Sequence, residues 1–331
     1  MTNDEEDDVV ELPADDEPVR LRPRPGWVIR DYMELMRLPN VFTAMADVAM
    51  GFLFVQPIVA QSDSWALGLL IAASSLLYIA GVVLNDVFDL ETDRTERPER
   101  PLPSGRISLR AARWVGWKFL LLGVLLGTGA SFFVGQMRPG VVTALLATCI
   151  LLYNAWLKRT PLGPLAMGAC RMLNVMLGMS AAGVTLGPAH WLVAGGVGVY
   201  VVGVTWFART EAERSNRLYL TLATAVMMLG VAMLGWFPSW SPEIVIPLLQ
   251  QQPQRWHLLM TLLGLLIGYR CLWAVLDPIP ARVRLAVAHS ILSLVILDAA
   301  ACYAIRDVFP AALILLLLLP AMFLGRWIES T

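Results

Sequence analysis

Apolar residues run in blocks of about 17–24 along nearly the whole chain, separated by short charged or proline-containing loops. The blocks fall near 41–60, 65–88, 114–135, 140–156, 163–185, 191–209, 218–236, 257–276, 285–305 and 309–325. Each is long enough to cross a hydrocarbon core of roughly 30 Å as a helix. Only "RDVFP" separates the last two, which leaves nine crossings plus a half-buried piece, or ten. The pattern predicts an all-α polytopic membrane protein.

Composition agrees with the pattern, because 57% of the 331 residues are hydrophobic and only 15% charged, far from a soluble domain. The first 17 residues, "MTNDEEDDVVELPADDE", are acidic with little apolar bulk. Residues 1–26 therefore read as a disordered acidic tail ahead of a membrane-embedded domain over 27–331; a signal peptide would need basic residues before an apolar core. Basic residues cluster on alternate loops. One set holds Arg94, Arg97, Arg100, Arg106, Arg110, Arg113, Lys158, Arg159, Arg209, Arg214, Arg217, Arg282 and Arg284. The other holds little more than Arg138, Arg255 and Arg306. By the positive-inside rule the first set and the N-terminus face the cytoplasm, in a cell inner or plasma membrane.

Much else in the sequence is bland. Cys149, Cys170, Cys271 and Cys302 lie inside apolar runs without metal or redox spacing, and His190, His257 and His289 show no ligand pattern. "GVGVYVVGV" at 196–204 reads as a surface for close helix packing. No phosphate loop, Ser/His/Asp arrangement or nucleic-acid module is visible, and no feature identifies a protein partner.

One stretch is different. In "GVVLNDVFDLETDRTERPERPLPSG", residues 81–105, an apolar run ends in a crowded charged loop. On a continuous helix Asn85, Asp86, Asp89 and Asp93 share about 100° of arc. Clustered carboxylates repel unless a cation sits among them. Magnesium takes one or two carboxylates together with waters and substrate phosphates, so acids flanked by Arg97 and Arg100 read as a magnesium–phosphate site. The competing reading is a solvated acidic helix end neutralised by its arginines.

The same stretch resembles the UbiA superfamily of intramembrane prenyltransferases, whose first motif reads NDxxDxxxD and continues into RPxRPxPSGxIS. Asn85, Asp86, Asp89, Asp93, Arg97, Pro98, Arg100, Pro101, Pro103, Ser104 and Gly105 all match. "MRLPNVFTAMADVAMG" is similar to the family's first crossing, with Arg37 and Asn40, and "YNAWLKRTPLGPLAMGACRMLNVMLG" to its fourth-to-fifth, with Tyr153, Lys158, Arg159, Arg171 and Asn174. The resemblance implies a helical bundle around a central cavity and transfer of an isoprenoid chain from its diphosphate to a small hydrophobic acceptor. Arg37, Asn40 and Asp47 also form one polar stripe, and Gly168, Arg171, Asn174 and Gly178 another; polar residues in a membrane normally face a bundle interior. For these polar positions an inter-helix hydrogen bond is the rival reading, and Asp298 reads as structural.

The second Asp-rich motif of the family is weak here. In "VTWFARTEAERSNR", Val204 stands where the leading Asp often does, and Glu211 is the acid that carries over. The resemblance thus implies Mg2+ on Asp86, Asp89, Asp93 and Glu211, with Lys158, Arg171 and Asn174 completing the catalytic set. Arg37, Asn40, Asn85, Arg97, Arg100, Tyr153, Arg159 and Arg209 would contact diphosphate or acceptor, while Tyr78 and Tyr153 shield the allylic cation. An aromatic or quinone-precursor acceptor is the first expectation. Related isoprenoid chemistry such as terpene cyclisation, a non-aromatic acceptor, and a non-catalytic lipid-binding or transport descendant are the alternatives.

Overall fold

The structure, a computed structural model, describes residues 25–57, 60–183, 185–209 and 215–328. The helices are α1 (Pro25–Leu35), α2 (Leu38–Val55), α3 (Gln61–Phe88), α4 (Leu90–Glu96), α5 (Leu109–Val134), α6 (Arg138–Ala155) and α7 (Gly163–Met179). They continue with α8 (Pro188–Ala208), α9 (Arg217–Trp240), α10 (Pro247–Gln251), α11 (Pro253–Leu276), α12 (Pro280–Arg306), α13 (Val308–Leu315) and α14 (Leu318–Gly325). No strand occurs among the described residues. Helix α1 begins at Pro25, inside the stretch expected to be tail, and residues 1–24 lie outside the described part.

Nine segments among the described residues are long and apolar enough to cross a membrane, with α13 and α14 together counting as one. The protein is an integral multi-pass membrane protein. Exposed leucines such as Leu121, Leu125, Leu262 and Leu265 face outward, and exposed tryptophans mark both ends of the bundle, with Trp114 and Trp156 at one and Trp65 and Trp240 at the other. Helix α7 has 17 residues. Its first turn lies near Arg209 at the end of α8, and Arg138, at the start of α6, donates to Ala182 O just past its last turn. It therefore runs the length of the bundle as well. The apolar run expected to reach 185 is helical only to Met179, where small residues turn the chain.

The end of the chain resolves the crossing count. Arg306 donates to Leu53 O at the far end of α2, whereas Gly325 lies against Pro39 at the near end of α2. The α13–α14 segment thus runs back along α2, and with α7 the described chain passes ten times between the two ends.

Close packing depends on small residues at backbone contacts. A Cβ added at Gly51 would stand 2.3 Å from Val175 O, and one at Gly178 would stand 2.2 Å from Val48 O, so α2 and α7 touch backbone to backbone. The glycines of "GVGVYVVGV" act the same way, Gly198 against Gly168 O and Gly203 against Ala223 O, as the sequence pattern predicts.

Candidate active site

The acidic motif sits where α3 ends. The helix stops at Phe88, Asp89 is its C-terminal cap (φ −99°, ψ 5°), and α4 starts at Leu90. The continuous-helix arc therefore fails beyond Asp89. Asp86 and Asp93 nevertheless meet, because one guanidinium reaches both: Arg100 Nη1 lies 3.0 Å from Asp93 Oδ2 and 3.7 Å from Asp86 Oδ1. Arg37 Nη2 donates to Asp86 Oδ1 at 3.1 Å. Both carboxylates are buried. Asp89 turns the other way, with Oδ2 2.7 Å from Lys158 Nζ and Oδ1 3.7 Å from Arg159. Lys158 also donates to Asn85 Oδ1 at 3.1 Å, which joins α3 to the loop after α6.

The residues of "RPERPLPSGRIS" account for the position of Arg100. Gly105 adopts φ 76°, a left-handed conformation that costs glycine nothing. Ser104 Oγ donates to Arg100 O at 2.6 Å, and Ser108 caps α5 by accepting from Ala111 N. Arg106 clamps the loop to α1, pairing with Asp31 and with both carboxylate oxygens of Glu34 at 3.1 Å. Arg37, between α1 and α2, is held at φ 44° and ψ 50°, a conformation costly for a non-glycine residue. Its side chain is aimed at Asp86 from that strained position.

Below the motif a cavity of about 300 Å³ opens into the bundle. Arg37, Asn40, Asn85, Arg97 and Arg100 line its mouth, with Tyr78 and Tyr153 beneath. Its walls are apolar: Leu77, Leu146, Ile150, Val201, Val204, Ile291 and Leu294. Arg171 and Asn174 line its inner part from α7 and are tied to α2 and α3. Arg171 donates to Asp47 Oδ2 and Thr43 Oγ1, both at 2.6 Å, and its guanidinium lies 5.6 Å from the centre of the Tyr78 ring. Asn174 donates to Asp47 Oδ2 at 2.9 Å and accepts from Ser74 Oγ at 2.6 Å.

Charges at the mouth respond to this burial. Desolvation raises the pKa of the Asp93 carboxyl, reinforced by the charge of Asp86 and opposed by Arg100. Desolvation lowers the pKa of the Lys158 ammonium, opposed by its bond to Asp89.

Most of the expected site converges on one cavity and its rim, but not all. Arg159 is exposed and donates to Phe88 O on the outer side of the motif. Arg209 does not line the cavity; its guanidinium donates to the carbonyls of Thr160 and Lys158, because α8 ends beside that loop. Glu211 lies outside the described residues, as does Arg214. The described part of the weak second motif presents Val204, Thr205 and Ala208 to the cavity, with no carboxylate among them. Sequence reasoning missed Thr43 and Ser74. The signal was there for Ser74, which precedes Tyr78 by one turn on the face that also carries Asn85.

A divalent ion can be tested against these donors. Among the described residues no three acidic, histidine or cysteine side chains converge to form a cage. Asp86 and Asp93, drawn to one guanidinium at the cavity mouth, instead offer the one or two hard carboxylates that suit Mg2+ when waters and phosphate oxygens fill the remaining positions. The donor set fits such an ion.

Known proteins resemble this one in sequence and in shape. Digeranylgeranylglyceryl phosphate synthase of Saccharolobus solfataricus is 31% identical over 172 residues, covering 50% of this chain and 55% of that protein. The enzyme of the same name from Methanopyrus kandleri is 34% identical over 169 residues, covering 50% and 57%. The chain thus spans little more than half the length of these relatives. A solved digeranylgeranylglyceryl phosphate synthase superposes with a TM-score of 0.59 at 20% identity, over 84% of this chain and 98% of that one. A UbiA homologue from Archaeoglobus fulgidus bound to GPP and Mg2+ superposes with a TM-score of 0.55 at 14% identity, over 80% and 99%. These superpositions establish a common fold. The profile of the UbiA prenyltransferase family matches residues 44–278, from the middle of α2 to the loop after α11 and across the whole acidic motif, and the chain belongs to that family.

Proposed function

We propose that the protein is a magnesium-dependent membrane prenyltransferase, moving an isoprenoid chain from a prenyl diphosphate to a lipid-soluble acceptor. The observation that carries this reading is the pairing of Asp86 and Asp93 with Arg100 and Arg37 above an apolar cavity. An allylic diphosphate is a poor leaving group while its charge is unscreened. Bound Mg2+, held by Asp86 and Asp93 with Asp89 alongside, would supply Lewis-acid neutralisation of that charge. Arg37, Arg97, Arg100 and Lys158 would bind the phosphate oxygens and orient the diphosphate at the mouth. The carbon–oxygen bond then breaks with its electron pair leaving on the diphosphate. Tyr78 and Tyr153, which line the cavity below the mouth, would shield the allylic carbon from water, while Ile150, Val201, Ile291 and Leu294 would hold the tail. Asn40, Arg171 and Asn174 supply the polar groups available to an acceptor, which forms the new bond and releases a proton.

The acceptor has two readings. Two tyrosines beside the reacting position suit an aromatic or quinone precursor. The named relatives favour a glyceryl phosphate lipid, a class that also uses the cationic mouth. We further propose that the mouth faces the cytoplasm, because the described parts of the arginine-rich loops lie at that end. Purified protein given geranylgeranyl diphosphate, Mg2+ and each acceptor class in turn, with products read by mass spectrometry, tests the proposal. A prenylated product identifies the acceptor; unchanged diphosphate with both classes and with a total lipid extract counts against transfer.

A further inference from the structure

Asp47 on α2 and Asp298 on α12 are both fully buried within membrane-spanning helices, behind the inner wall of the cavity. Asp298 stands within hydrogen-bonding reach of Asp47. Asp47 Oδ2 receives Arg171 and Asn174, yet Asp47 Oδ1 and both oxygens of Asp298 have no hydrogen-bond donor among the described residues. Two buried carboxylates with three unpartnered oxygens between them therefore neighbour one guanidinium, that of Arg171. If both acids were ionised, one negative charge would be left uncompensated in the interior, at a cost that the Arg171 pair does not return. Neutral neighbours do not remove it: Tyr78 is engaged by Arg171, and Cys302 lies one turn along α12.

We propose that Asp47 and Asp298 share one proton, carried by Asp298 and donated to Asp47 Oδ1, and that this acid pair fixes Arg171 and Asn174 in the cavity. A proton balances the cluster to neutrality and gives the orphaned Asp47 oxygen its donor. A metal ion would need more than three oxygens and would sit against the Arg171 cation. Asp298 carries the proton because Asp47 already has two donors that favour its ionised form and Asp298 has none among the described residues. The pair also bridges α2 to α12, the helices that supply Ala44 and Leu294 to the cavity wall. Asp298 is thus a positioning residue: it does not itself line the cavity and acts through Asp47 on Arg171.

Infrared spectroscopy of the full-length protein in lipid nanodiscs reads the proton directly and does not depend on the proposed reaction. The carbonyl stretch of a protonated carboxylic acid should be present at about pH 7 and persist at about pH 9, where ordinary carboxyls are ionised. It should vanish in Asp298→Asn and remain in Asp93→Asn. Absence of the band at about pH 9, or its survival in Asp298→Asn, overturns the proposal. Should Asp298→Asn fail to fold, Asp47→Asn decides: its amide oxygen still accepts the proton, so the band should stay but shift, and an unshifted band overturns the assignment. The KM for the acceptor found active in the assay above, at saturating prenyl diphosphate, gives the positioning readout, because Arg171 and Asn174 are the groups offered to the acceptor. Asp298→Asn, which still donates, should keep that KM within about twofold, while Asp298→Leu should raise it about tenfold. Equal KM values for the two variants overturn the positioning role even where the infrared band stands.

Discussion

Replacing Asp86 with asparagine keeps the shape of the side chain and removes its charge, which sets two effects against each other. Asp86 accepts from Arg37 at 3.1 Å and lies 3.7 Å from Arg100. Its removal releases two guanidinium groups that can then bind phosphate oxygens directly, so prenyl diphosphate binding in EDTA should be unchanged or tighter. In magnesium the ion loses one of its carboxylates, and a charge-assisted interaction contributes about 1.5–3 kcal/mol. Affinity in magnesium should fall by about 10- to 150-fold. The diagnostic quantity is therefore the ratio of the two affinities, large in the native protein and close to one in Asp86→Asn. Titration calorimetry of geranyl diphosphate in detergent, with and without Mg2+, measures it, and thermal unfolding confirms that the variant is folded. The loop should hold, because Arg106 anchors it to Asp31 and Glu34 independently of Asp86. A variant that keeps the native ratio would refute the metal assignment, and loss of binding in both conditions would show that Asp86 contributes fold rather than charge.

Other expectations are as specific. The raised pKa of Asp93 means that it takes up a proton at higher pH than an ordinary carboxylate, so Mg2+ affinity should decline on acidification while pH is still above about 4; Asp93→Asn should abolish that limb. The sign for folding is the opposite, since a carboxyl that binds its proton more tightly when folded adds stability as pH falls, which a pH series of melting temperatures with Asp93→Asn as reference checks. Gly178→Ala places a methyl 2.2 Å from Val48 O, backbone that cannot swing aside, and should cost about 1–3 kcal/mol in stability. Gly129→Ala, where nothing lies within 4 Å, should be neutral or stabilising, and equal melting temperatures for the two variants would contradict the packing argument. Single cysteines at positions 104 and 239, in an otherwise cysteine-free protein, should label from opposite sides of the membrane, with 104 cytoplasmic.

Hydrophobic run length alone gave the crossing helices, though not the short α1, α4 and α10, because lipid demands long apolar segments whose backbone polar groups are satisfied internally. Helix ends were less legible: the apolar run after Met179 continues in composition while the backbone turns. The acidic motif was visible as residues but not as geometry. The pairing of Asp86 with Asp93 depends on Arg100, whose position is set by the Gly105 turn and the Ser104 hydroxyl, and on Arg37, which arrives from another helix in a strained conformation. Arg209 shows the limit most clearly. Its charge fitted a phosphate contact, but the end of α8 delivers it to the Thr160 carbonyl. Asp298 had no polar neighbour in sequence, since its companion Asp47 sits on α2, so the pairing of the two acids was visible only in three dimensions.

Pyrophosphate release from a labelled prenyl diphosphate by the protein reconstituted in vesicles, with membrane lipid extract as acceptor source, tests the central claim most directly. Release with Mg2+, matched by label appearing in a new lipid and absent both in EDTA and in Asp86→Asn, is the predicted result. Mg2+-dependent binding with no release under any acceptor would instead mark a scaffold that holds the diphosphate without transferring it, and would contradict the account.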